Sequence, residues 1–108
     1  MKTTKIEKWS EKLQDGTEVE QTLLKVINTL LSSKDPKTLP RGIEQFRIFG
    51  RISKAFEEAE KTGILKLEDS DYNFLKNIVE EDIPANWGAI PNVNKAITAF
   101  LEAKDGNN

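Results

Sequence analysis

The stretch from Pro40 to Thr62 (PRGIEQFRIFGRISKAFEEAEKT) reads as one long amphipathic helix around which the other segments must pack. At about 100° per residue, Ile48, Phe49, Ile52, Ala55, Phe56 and Ala59 fall within an arc of about 120°. The opposite side carries Arg47, Arg51, Lys54, Glu58 and Lys61. Pro40 suits a first helical turn, where a missing N–H costs nothing. Gly63 suits the position just past the last turn, where a left-handed residue is wanted. A helix with one apolar stripe needs partners on that side alone. It constrains packing and says little about chemistry.

The remaining pattern supplies those partners. Thr17 and Glu20 match a capping box, which predicts a helix from Thr17 whose apolar face is Val19, Leu23, Leu24, Val26, Ile27, Leu30 and Leu31. The run Ser32 to Pro36 ends it, because residues before proline avoid the helical region. Glu68 or Ser70 caps a third helix running to about Glu81, with Tyr72, Phe74, Leu75, Ile78 and Val79 on its apolar side. Ile83 to Pro91 is a loop between prolines, and Pro91 to Ala103 is a last helix with Val93, Ala96, Ile97, Phe100 and Leu101 inward. Residues 1–16 form an arm, with a strand or hairpin favoured over a helix and Asp15-Gly16 as its turn. Ile64 to Leu67 is short and alternating and can pair with that arm. Residues 104–108 are expected to fray. The fold class is therefore mainly α: one compact four-helix domain spanning 1–108, with at most a short two-stranded β element from residues 3–9 and 64–67.

Composition removes several kinds of chemistry. The 108 residues include no histidine and no cysteine, so a disulfide, a thiolate nucleophile, a Cys/His zinc site and a Ser–His dyad are all excluded within this chain. Catalysis finds no other support. Glu57/Glu58 and Glu80/Glu81 are sequence neighbours that diverge on a helix, and no phosphate-cradling loop or nucleophile elbow is present. The expectation is a non-enzyme with no cofactor and no metal. A formal net charge of −2 gives no bulk attraction to nucleic acid. No apolar run approaches the roughly 20 residues of a membrane span, and no signal-peptide core follows Met1, so the expected location is cytoplasmic.

Leu65, Leu67, Glu68, Asp69, Asp71, Leu75 and Lys76 trace a Leu-x-Leu segment entering an acidic-capped helix that contains Leu-Lys. Before it stand a helix ending near Asp35-Pro36 and a helix with an Arg/Lys–aromatic core. Across roughly residues 13 to 101 this order resembles a group of small, mostly uncharacterised proteins encoded by tailed phages and prophages. The loop at 82–91 with Trp87 is longer than in that pattern. The resemblance implies an accessory or assembly protein, in a bacterial host cell or associated with a virion, and supplies no catalytic residues.

Three features are candidates for binding. Asp69, Asp71, Asn73 and Glu80 fall at positions 1, 3, 5 and 12 of a calcium loop, but position 6 is Phe74 where glycine is required. An acidic first helical turn is the better reading. Arg47, Arg51 and Lys54, with Arg41 nearby, form a cationic ridge for phosphates or an acidic partner; a solvated helix face explains them more simply. Trp87 is either a loop anchor for a partner or a cover for the core, with the cover favoured. Ile43 and Phe46 lie off the main stripe of the central helix. They either meet a second element or form an exposed apolar edge for self-association. The leading expectation is a protein–protein interaction module whose partner-binding residues are Ile43, Phe46 and Trp87, the partner being another protein or a second copy. The alternative is a small nucleic-acid-binding regulator using the ridge.

Overall fold

The computed structural model describes residues 1–33 and 41–105. Its elements, in order, are β1 (Lys2–Lys5), β2 (Lys8–Lys12), β3 (Glu18–Thr22), α1 (Leu23–Ser33), α2 (Ile43–Thr62), β4 (Ile64–Leu67), α3 (Asp69–Asp82), a 3-10 turn (Ala85–Ala89), α4 (Pro91–Leu101) and β5 (Lys104–Asp105). The mainly α expectation holds, but the β contribution is larger than two strands. The described residues form two antiparallel sheets, one of three strands in the order β4-β1-β5 and one made of β2 and β3.

β1 and β4 pair as expected, with Lys2 opposite Leu67 and Thr4 opposite Leu65. The alternation of Ile64-Leu65-Lys66-Leu67 puts Leu65 and Leu67 in the core and leaves the other two outside, the period-two signature of a half-buried strand. The stretch 3–9 is not one strand. It breaks after Lys5, and Lys8–Lys12 turns away to pair with Glu18–Thr22. Lys104–Asp105 does not fray; it adds to the other edge of β1, Lys2 opposite Asp105.

The helix expected from Thr17 begins only at Leu23. Asp15-Gly16 reverses the chain, with Gly16 at φ 89°, and Glu18–Thr22 completes a hairpin. Val19 and Gln21 are half-buried while Glu18 and Glu20 face water, so local alternation and a paired strand outweigh the capping box. The helix instead takes its cap from Thr22, whose Oγ1 accepts the Lys25 N–H at 3.3 Å.

α2 shows the expected stripe. Ile52, Phe56 and Ala59 are buried, and Ile48, Phe49 and Ala55 are half-buried. Gly63 closes the helix at φ 80°, its N–H donating to the Ala59 carbonyl at 2.8 Å. Pro40 lies outside the described residues. The core joins Leu23, Leu24, Ile27 and Leu30 of α1, the α2 stripe, Leu65 and Leu67 of β4, Tyr72, Leu75 and Val79 of α3, and Val93, Ile97 and Phe100 of α4.

Candidate interaction surface

The two sides of α2 differ in what they meet. Toward the core, Phe49 packs edge-on against Phe74 of α3, ring centroids 5.3 Å apart and planes at 86°. From the polar side of α2, two residues further on, Arg51 donates from Nε to Asp71 Oδ2 and from Nη2 to Oδ1, both at 2.8 Å. Asp71 is buried and Arg51 half in solvent, so the guanidinium caps a carboxylate that α3 has drawn out of water. That hydrogen-bonded carboxylate also raises the Arg51 proton affinity above its usual value.

The outer side of α2 carries Ile43 and Phe46, 60% and 73% exposed, the most exposed of the large apolar side chains among the described residues. Between the two readings of this pair, the geometry places both residues in solvent. Gly50 follows one turn after Phe46 on the same side. A methyl group added there would meet nothing within 4 Å, and its backbone is not left-handed. A glycine inside a helix costs about 0.5–1 kcal/mol relative to alanine, so its presence is unexplained by the fold around it.

The cationic ridge is divided. Arg51 is engaged by Asp71, and Arg47 lies 3.7 Å from Glu44 in an exposed pair of its own helix. Lys54 and Arg41 are exposed. Trp87 is not part of the exposed pair. It is half-buried against the core and lines a small depression with Ile83, Val93 and Ile97. The calcium-loop spacing resolves as the first turns of α3. Asp71 faces Arg51, and Asp69 lies 3.0 Å from the Met1 amino group. Among the described residues no group of three or more acidic side chains could hold a metal ion.

One further concavity, about 480 Å³, opens between the N-terminal strands and α4, with Thr4, Trp9 and Ala99 on its walls. Lys95 of α4 reaches Glu7 across it at 3.4 Å. The sequence reading missed this groove and the Arg51–Asp71 clamp, both of which depend on how separate elements pack. The nearest local signal for the clamp is that Asp71, the third residue of its helix, stands one turn before Phe74 and Leu75 on the apolar side.

Compared with protein-family models, curated proteins and solved structures, the chain matches none. No helix among the described residues is long and apolar enough to cross a membrane.

Proposed function

We propose that this chain is a non-enzymatic protein–protein interaction module, of the accessory or assembly kind suggested by its resemblance to small phage and prophage proteins. The observation that carries the reading is the exposure of Ile43 and Phe46 at the start of α2. Large apolar side chains left together in water mark a surface that another protein covers. The sequence adds that neither histidine nor cysteine is present for acid–base or nucleophilic work.

Nucleic-acid binding through Arg47, Arg51 and Lys54 is the weaker reading, because the Arg51 charge is already paired with the buried Asp71 carboxylate through Nε and Nη2, leaving the ridge less free cation to offer a phosphate. A mobility shift at two salt concentrations tests it, since backbone-driven binding must weaken steeply with salt.

The interaction reading is tested by affinity capture with wild-type and Phe46→Asp baits from phage-infected or prophage-induced cells. A partner recovered by the wild type and lost with the variant supports it. Equal recovery by both baits, or none by either, overturns it at this surface.

A further inference from the structure

We infer that the groove between β1, β2 and α4 binds a small, flat apolar molecule carrying one negative charge, an aromatic carboxylate or sulfonate. None of its walls comes from α2, so the site is independent of Ile43 and Phe46.

The groove exists because of what stands on α4. Asn92, Ala96 and Ala99 are spaced by four and three, so they share one side of the helix, with Ala103 just past its end. The core contacts are made elsewhere, by Val93, Ile97 and Phe100. Alanine methyls fill little, and the space left is about 480 Å³, inside the range of about 300–1,000 Å³ usual for small-molecule sites. The facing wall is a strand edge. β5 pairs only with Lys2 and Thr3 of β1, and Thr4 and Lys5 beyond them border the groove. Trp9 completes the lining. Its indole N–H is taken by Glu11 Oε1 at 3.0 Å, so what it has left to offer the groove is ring carbon. Ring and methyls together make an apolar surface that flat hydrocarbon covers better than water does.

Charge fixes the rest of the ligand. The ionic side chains on the groove are Lys5, Lys8, Lys95 and Lys104 against Glu7 and Glu102. Lys95 meets Glu7 at 3.4 Å, and Lys8 reaches Glu20, outside the lining, at 3.6 Å. Those two pairs cancel. Lys5 and Lys104 then stand against Glu102 alone, a local excess of one cation in a chain whose formal net charge is −2. Thr3 lies opposite Lys104 in the ladder and two residues before Lys5. The two lysines therefore leave the same face of the sheet as diagonal neighbours, about 7–8 Å apart, a span that one carboxylate or sulfonate bridges. A neutral ligand leaves that excess cation unanswered, and a dianion exceeds it.

Anilinonaphthalene sulfonate, an aromatic monoanion, is the probe, and phenylnaphthylamine, the same ring system without the charge, is its control. Both are titrated into the full chain, with affinity read from probe fluorescence and location from backbone amide resonances. The sulfonate is expected to shift the amides of Lys5, Trp9, Ala96 and Ala99 together and saturably, and its binding to weaken as salt rises. Ala99→Leu fills the groove from an exposed position; it should weaken both probes about tenfold or more and keep the Tm. Lys5→Glu combined with Lys104→Glu should weaken the sulfonate about tenfold and leave the control unchanged. Absence of saturable sulfonate binding overturns the site, and so do shifts confined to residues around Ile43 and Phe46. Unchanged binding in a folded Ala99→Leu protein does the same. The charge variant alters exposed side chains only, so it decides the case even where Ala99→Leu costs the fold. Equal loss of both probes, or loss of neither, overturns recognition of the anion.

Discussion

The Tyr72 hydroxyl lies 2.8 Å from the Phe100 carbonyl and 3.0 Å from that of Leu101, so one proton serves the last turn of α4 from the first turn of α3. The two rings also touch, with centroids 5.2 Å apart. Tyr72→Phe keeps the ring and leaves the carbonyls without that donor. It should cost about 1 kcal/mol, read from denaturant unfolding.

The same bond sets an alkaline limit. Burial holds the Tyr72 phenol protonated to higher pH than usual, and Lys2 only partly opposes this. A raised folded pKa means the stabilisation is full below the unfolded value of about 10 and disappears as pH climbs through the folded one. Tyr72 is the sole tyrosine, so phenolate absorbance reports it alone. Its titration should shift upward relative to the unfolded chain, and Tm should fall less steeply above pH about 10 in Tyr72→Phe.

Arg51 and Asp71 should respond unequally to truncation. Arg51→Ala leaves a buried carboxylate without its partner, a loss of about 1–3 kcal/mol at neutral pH. Asp71→Ala leaves a guanidinium that is already half in solvent, so the loss should be smaller. The double variant should be no less stable than Arg51→Ala. Thermal denaturation of the three proteins at one pH decides it, and equal losses in the two single variants would contradict the asymmetry.

Asp15 fixes the hairpin turn by accepting the Thr17 N–H at 2.9 Å. That hydrogen bond, the largest cause, holds the carboxyl below its ordinary value. A depressed folded pKa contributes stability above the unfolded value of about 3.9 and loses it as pH falls through the folded one. The Thr17 amide resonance should therefore titrate below pH about 3.9, and Asp15→Ala should abolish that step while the four helices persist.

Leu75 is fully buried where α3 meets the core. Leu75→Ala should cost about 2–5 kcal/mol by chemical denaturation, far more than any change at Ile43 or Phe46. A loss at Phe46→Ala comparable to that at Leu75→Ala would mean that Phe46 is packed rather than displayed.

The helical part of this architecture was legible because it repeats. Ile52, Phe56 and Ala59 recur at helical spacing, and Gly63 stands where a left-handed cap is needed, so local sequence suffices. The start of α1 was misread because Thr17 and Glu20 satisfy a capping box while also belonging to an alternating strand, and only the opposite strand, Lys8–Lys12, breaks the tie. At the surface, periodicity placed Ile43 and Phe46 off the buried stripe but could not show whether anything covers them. The Arg51–Asp71 clamp spans twenty residues and two helices, so it depends on an interhelical packing that neither helix encodes alone.

The placement of β1 also sets a timetable. Its neighbours are Ile64–Leu67 on one edge and Lys104–Asp105 on the other, so every rung of that sheet closes a long loop. The β2–β3 ladder closes across the short turn at Asp15-Gly16, a local event on the scale of about 1–10 μs for a hairpin. Long loops carry the larger entropy cost and slow the search. The two sheets should thus appear on separate clocks. Pulse-labelled hydrogen exchange should protect Lys8–Lys12 and Glu18–Thr22 first. The amides of β1 and β5 should be protected last, after α2 and α3 have brought β4 into position.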